Sequence, residues 1–397
     1  MGGENGGEEL EIMHWWTAGG EEDAMQALLE GFEEEHPEYD VHDNPSPGGA
    51  GSALEAEIRN RVIDGNPPST FQIWPGEALS PYTDEGLFEP IDDIWTDEMR
   101  DAYLDGPAEA AQQDGEFVAV PININRLNSL YYNIEVVEES GVDLEGIDTP
   151  TALVEALNAI EAETGAAGLA HQTQEPWSTL QLWAQVLLGE FGAEAYQQFI
   201  DGEVESVAEE VRESLQVVVE YSVYFNEDAS SLSWDQANNH VINGDAGLVH
   251  EGTWGAGQYE NTDSFEFGED WDYITFPGTE ELYTLNMDSF PYPVENPSPE
   301  ATEAFLTYAG SIDAQERVNP PIAAIPPRTD VPRDEFSPFL REMMDLFEAS
   351  EMQLPSIAHG LAVPPDVQSE IENTFATFNG SWDVEETYQE LASAFDE

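Results

Sequence analysis

The sequence predicts an α/β protein of two lobes, and three observations carry that prediction. From Leu10 the chain alternates short extended runs with helical stripes, the pattern of parallel βαβ units whose helices pack on a sheet. A helical middle separates this first strand cluster from a second, so the chain is expected to cross between lobes more than once. Finally, 397 residues with 40% hydrophobic content exceed what a single core usually organises.

The first strand starts at Leu10 and runs into "HWWTAGGEEDAMQA". Successive strand residues face opposite sides, so Trp15 and Trp16 cannot both enter one core unless the strand is ending. One of the pair is expected to face something else. A helix follows from Glu21, with Met25, Leu28, Leu29 and Phe32 as its apolar stripe and Pro37 as its stop. "YDVHDN" reads as a strand, Leu54, Ile58 and Val62 mark a second helix ending at Gly65, and "NPPSTFQIWPG" leads into a third strand. The glycines of "GGAGSALEAE" fit a tight turn that lets the backbone approach a neighbour closely, or a helix N-terminus facing an anion.

Residues 116–133 read as two extended segments. Thr149-Pro150 opens a helix with Leu153, Leu157 and Ile160 on one face, and Val207, Val211, Leu215, Val218 and Ser222 form another stripe. Strands return at "AGLVHEG", "WDYITFP" and "YTLNMDSF", and helices fill the stretch from Pro364 to Phe395. No internal repeat is visible.

Charge sets the boundaries on function. Asp and Glu number 84 against nine arginines and no lysine, a net charge of -75. Such an excess would ordinarily mean disorder, but 11% aromatic residues and long apolar periodicities require a folded globule with the charge on its surface. That surface repels phosphate backbones and anionic lipid, which excludes nucleic acid as a partner. It also repels itself unless salt screens it, so a halophilic source is expected. The acids are dispersed and form no D-x-[DN]-x-[DN]-G loop, which argues against calcium as the reason for them.

The absence of cysteine removes disulfides, thiolate catalysis and zinc-thiolate sites together. No apolar run is long enough to span a bilayer, and "MGGENGGEEL" reads as a flexible tether over residues 1–9, behind a methionine that replaces an upstream segment. Nucleophile elbow, zinc helix, phosphate loop and dinucleotide fingerprint are all missing, so no enzyme class gains support. A carbohydrate hydrolase stays open, because with 84 acids no carboxylate pair stands out.

What remains is an aromatic and polar constellation. Trp15, Trp16, Trp74, Trp177, Trp234 and Trp254 fall where strands end or loops turn. Flat rings suit the C–H face of a pyranose, and Glu21, Gln72, Asn123, Asp288 and His359, at comparable strand-to-loop positions, suit its hydroxyls.

The motifs "HWWTAGGE", "PPSTFQIWPG", "VPININRLN", "LSWDQANNHVINGDAGLVHEGTWGAG", "NMDSF", "PPRTDVP" and "SIAHGLAVP", in this order and spacing, carry a family likeness. The chain resembles the extracellular solute-binding proteins (family 1) of ABC sugar importers, close to the glucose/galactose-binding branch, in a halophilic, haloarchaeal version. The resemblance covers Leu10 to about Leu391. It implies a periplasmic-binding-protein-like type II fold, with a hinge between the lobes and a sugar enclosed in the cleft. Lobe 1 is then expected to comprise 10–122 plus 282–335, and lobe 2 123–281 plus 336–397.

By the same likeness Trp15, Trp16, Trp234 and Trp254 become cleft aromatics, while Glu21, Asp288 and His359 become hydroxyl partners. Gln72, Asn123 and Trp177 match more loosely, and Trp74 joins the expected ligand-binding residues as a loop aromatic. The implied function is capture of a monosaccharide, glucose or a similar hexose, without chemistry and without a cofactor or metal. An oligosaccharide binder of the same fold is the alternative. The implied partners are the sugar and the permease subunits, for a monomer held outside the cell by a lipid anchor lacking from this chain. Two positions depart from the family pattern: Ile322 stands near the place where relatives carry lysine, and Asn125 where relatives often carry histidine.

Overall fold

The computed structural model describes residues 9–46 and 51–395. They form two compact units: the described residues up to Asn125 together with Asn286–Met344, and Arg126–Leu285 together with the described residues from Asp345. The chain therefore changes unit at 125/126, 285/286 and 344/345. Asn123, expected in the second lobe, lies in the first unit. Residues 1–8 of the expected tether lie outside the described residues, and Glu9 already belongs to a strand.

The first unit is built on β1 (Glu9–His14), which runs parallel to β2 (Asp40–Pro45) on one side and to β3 (Thr70–Phe71) on the other. A central parallel strand is covered on both faces, and Leu10, Ile12 and Met13 are accordingly buried. Between β1 and β2 runs α1 (Gly20–Glu35), whose predicted stripe of Met25, Leu28, Leu29 and Phe32 is buried in full. Glu21, Glu22 and Asp23 occupy its first turn, where carboxylates offset the exposed N–H groups of a helix that Gly19 leaves without a side-chain cap. The helix α2 (Ser52–Ile63) connects β2 to β3. Beyond β3, Ile73 bridges to Ser289, and the strand Ser289–Pro291 pairs antiparallel with Ala119–Pro121.

Residues 116–133, expected as two extended segments, form four short strands instead: Glu116–Phe117, Ala119–Pro121, Asn125–Arg126 and Ser129–Asn133. Changes of partner cause the breaks. Ile124 N–H donates to Ile325 and Leu127 N–H to Thr284, so the ladder switches neighbours twice within a few residues.

The second unit has a mixed four-stranded sheet. Its members are β4 (Ser129–Asn133), β5 (Ala167–Ala170), β6 (Ala246–His250) and β7 (Trp271–Thr275), in the order β7-β4-β6-β5. Only β5 and β6 run parallel, while β4 is antiparallel to both of its neighbours. The helix α3 (Pro150–Thr164) precedes β5, with Pro150 in its first turn and the Thr149 hydroxyl accepting from Ala152 N–H. It lies close to the sheet because glycines permit it. A Cβ at Gly168 would meet the Leu157 carbonyl at 2.7 Å, and one at Gly247 would meet Ile160 Cγ2 at 2.7 Å.

Behind the sheet α4 (Pro176–Ile200), broken at Gly192, and α5 (Ala208–Ser222) bury Leu180, Leu182, Trp183, Val211, Leu215 and Val218 in one core. Three further elements matter for the site: α6 (Trp234–Ile242), α7 (Thr253–Glu260) and β8 (Leu282–Asn286), whose residues up to Leu285 pair parallel with β9 (Met352–Pro355).

Candidate functional site

In the first unit, the ends of neighbouring strands bring distant residues together. Trp15 follows β1, Gln72 and Trp74 follow β3, Asn123 follows Ala119–Pro121 and Asp288 precedes its antiparallel partner. The C-terminal edge of a parallel sheet is where α/β folds expose polar and backbone groups to ligands.

Asp288 is 3% exposed and fully engaged. Its Oδ1 accepts from Gln72 Nε2 at 2.8 Å, its Oδ2 accepts from Asn123 Nδ2 at 2.8 Å, and its own N–H donates to Asn123 Oδ1 at 2.7 Å. Gln72 Oε1 in turn accepts from the Trp15 N–H at 3.1 Å. Burial pushes the Asp288 carboxyl up to about 6, while the two amide donors act against that shift.

Trp15 meets Trp74 edge-on, with ring centroids 5.3 Å apart. Gly51 explains how the chain passes so near the Trp15 ring. Its φ is +66°, and a Cβ there would lie 2.7 Å from Trp15 Cε3. The preceding glycines of "GGAGS", residues 48 and 49, lie outside the described residues. Just past the end of β1 the tryptophan pair divides: Trp16 is 2% exposed, whereas Trp15 is half-buried.

In the second unit, three rings gather at the starts of α4 and α7 and in the loop after β9. The ring centroids of Trp177 and Trp254 are 6.2 Å apart, those of Trp177 and His359 5.8 Å, and those of Trp254 and His359 5.4 Å, all edge-on. Both indole nitrogens are tied to acids. Trp177 Nε1 donates to Glu175 Oε2 at 3.2 Å and Trp254 Nε1 to Glu251 Oε2 at 3.0 Å. Rings held by their nitrogen edges keep fixed orientations, which suits stacking more than hydrogen bonding to a ligand. His359 Nδ1 lies 2.8 Å from Ser356 Oγ, and burial lowers the imidazole to about 3, so the ring is neutral at neutral pH.

Two more expected site residues, Trp234 and Glu21, lie in the first turns of helices. Trp234 opens α6, behind a capping box formed by Ser233 and Gln236, and makes no ring contact with the cluster among the described residues. Glu21 sits half-buried on the first turn of α1. No group of three or more His, Asp or Glu that could hold a metal ion occurs among the described residues.

The profile of the family described as bacterial extracellular solute-binding protein matches residues 18–316. The chain belongs to that family. A xylose/arabinose-binding protein of Haloferax volcanii is 38% identical over 100% of this chain and 86% of its own length. An ABC transporter extracellular-binding protein of Pyrococcus horikoshii is 32% identical over 98% of this chain and 87% of its own. Among solved structures, a chitin oligosaccharide binding protein superposes with a TM-score of 0.85 at 17% identity, covering 98% of each chain. The bacterial solute receptor AcbH, with its preference for β-D-galactopyranose, gives 0.83 at 16% identity, again over 98% of each. These likenesses establish the α/β fold of type II periplasmic binding proteins.

The solute-binding protein has two further candidate site residues that its sequence does not single out. Glu175 and Glu251 are two acids among 84, and only their indole partners distinguish them. The one available signal was spacing, since each lies two or three residues before a tryptophan. Ile322, which stands near the place where the family likeness led to the expectation of lysine, is a buried apolar residue at 1% exposure.

Glu251 also makes the protein's stability depend on pH. Burial pushes its carboxyl up to about 8, the Trp254 indole N–H opposes this, and the Glu175 and Asp235 carboxylates add to it. The folded state thus keeps a proton that the unfolded chain releases near 4.5, so stability falls as pH rises from about 4.5 to about 8 and stays lower above that. Glu251→Gln retains an acceptor for Trp254 and removes the titration. Its unfolding free energy relative to the parent is expected to increase from pH 5 to pH 8.5 by up to about 4 kcal/mol. Denaturant unfolding in molar KCl at both pH values measures it, and parallel pH profiles would show that Glu251 ionises as an ordinary carboxylate.

Proposed function

We propose that this solute-binding protein is the substrate-binding component of an ABC sugar importer and takes a monosaccharide, an aldohexose or aldopentose. The observation that carries this reading is the Trp177–Trp254–His359 cluster, whose indole nitrogens are already engaged, so that ring faces are what it offers. A pyranose presents a matching C–H face, and its hydroxyls need buried partners of the kind that Asp288 and its two amides supply. In this reading one sugar draws on both sets of groups, with Trp15, Trp16, Trp74, Trp234 and Glu21 completing them and hinge closure enclosing it.

Binding without chemistry is favoured because the relatives are named as binding proteins. The pentose arm rests on the xylose/arabinose-binding relative and on Ile322, which supplies no charged hydrogen bond. Permease subunits are the proposed protein partners, for a monomer working on the outer face of the membrane behind a lipid anchor. No helix among the described residues is long and apolar enough to cross a membrane.

A calorimetric panel in molar KCl tests the reading with glucose, galactose, xylose, arabinose, a maltooligosaccharide and a chitooligosaccharide. One aldose is expected to bind at micromolar concentration, about -8.2 kcal/mol, within the reach of a ligand of some ten heavy atoms. Tighter binding of the longer sugars would move the assignment to an oligosaccharide binder. Release of reducing ends from them, abolished by one carboxylate substitution, would make the protein a hydrolase.

A further inference from the structure

Two amides lie one turn apart on α4, and only one of them has partners. Gln185 Oε1 accepts from Thr284 Oγ1 of β8 at 3.1 Å. Gln181 is 1% exposed, yet neither its Oε1 nor its Nε2 makes a hydrogen bond among the described residues. A primary amide offers two donors and an acceptor, and burying all of them unpaired is costly, so a partner beyond the described residues is expected.

The position of Gln181 says what that is. Residues four apart share a helix face, so Trp177, Gln181 and Gln185 form one stripe on α4. Helical side chains lean toward the N-terminus, which places the Gln181 amide over the turn that carries Trp177. Trp177 is itself packed against Trp254 and His359. The unpaired amide therefore shares a helix face with Trp177 of the ring cluster on one side and with the Gln185–Thr284 pair on the other.

We infer that Gln181 is a further ligand-binding residue, whose amide pairs with two neighbouring hydroxyls of a sugar held at the Trp177–Trp254–His359 cluster. This rests on the sugar-binding reading and adds a selectivity element to it. A vicinal diol matches the amide, since one hydroxyl donates to Oε1 while its neighbour accepts from Nε2–H. A sugar lacking either hydroxyl leaves half of the amide unpaired and is discriminated against.

Calorimetry of the full chain in molar KCl tests this with the parent, Gln181→Leu and Gln181→Met, using the best aldose and its monodeoxy analogues. Both variants are expected to bind that aldose about tenfold to a hundredfold more weakly, with an unchanged or higher melting temperature in the absence of sugar, because an unpaired buried amide has been replaced by an apolar group of similar size. For one deoxy analogue, parent and variants are expected to bind alike. Unchanged affinity for every sugar with a lowered melting temperature would overturn the inference and assign the amide to a buried water. A parent that binds no sugar would overturn the sugar-binding reading itself, a result distinct from failure of the Gln181 variants alone.

Discussion

Trp254→Ala is expected to weaken binding of the best aldose at least a hundredfold, and Asp288→Asn tenfold to a hundredfold. The two residues act by different means. Trp254 is 6% exposed, meets Trp177 and His359 through its ring and is anchored by its nitrogen to Glu251. Its removal deletes a stacking face and also frees a buried carboxyl that had been accepting from it. Asp288 accepts from two side-chain amides, and an asparagine there must turn an NH₂ toward one of the two NH₂ donors. Trp254→Phe separates ring from anchor, since it keeps a face but gives Glu251 nothing to accept from. It is expected to fall between parent and Trp254→Ala. Titration calorimetry, with circular dichroism as a check on folding, measures all three. Folded Trp254→Ala with parental affinity would discard the stacking platform, and folded Asp288→Asn with parental affinity would remove Asp288 from the site.

These residues show how far a sequence can be read. Helical stripes were legible because their period is local: Met25, Leu28, Leu29 and Phe32 are buried as their spacing predicts, and Thr149 caps the helix that Pro150 opens. Trp15 and Trp16 differ in burial as expected, although β1 already ends at His14 and the chain has left the strand at the pair. Pairings across the chain were not legible in this way. Gln72 and Asp288 are 216 residues apart, and nothing in either neighbourhood announces the other. Residues 116–133 are extended as their sequence suggests, but their breaks into four short strands arise from partners far along the chain, Ile325 and Thr284, which no local pattern announces. Glu251 was hidden by composition, since in the sequence it is one acid among 84 until an indole is found beside it. Gln181 was hidden for the opposite reason, because its distinguishing property is a lack of partners that only three dimensions reveal.

Below a few tenths molar salt the folded protein is expected to lose stability or cooperativity, and this is the largest effect foreseen for the molecule. The nine arginines cannot prevent it. Arg59, Arg61, Arg100, Arg212, Arg317 and Arg328 already pair with Glu55, Glu11, Asp92, Glu385, Glu34 and Asp330, and pairing every arginine once would still leave 84 - 9 = 75 acids. Most of these pairs lie at the surface, where an ion pair contributes little, so they do not offset repulsion summed over the whole surface. Screening does. The Debye length is about 30 Å at 0.01 M salt and about 3 Å at 1 M, so stability should climb steeply while neighbouring carboxylates are being screened from one another. It should then rise more slowly, as salts that strengthen apolar burial take over. Salts of equal ionic strength are therefore expected to agree in the first phase and to separate by ion type in the second. Sugar binds only the folded form and should rescue folding at intermediate salt, by about 2.7 kcal/mol at a hundredfold excess over its dissociation constant. Melting curves from dilute buffer to multimolar KCl, with and without the best aldose, measure both effects. A melting temperature flat across that range would sink the halophilic account, whereas a salt response with no shift on adding sugar would leave the charge argument standing and discard the ligand.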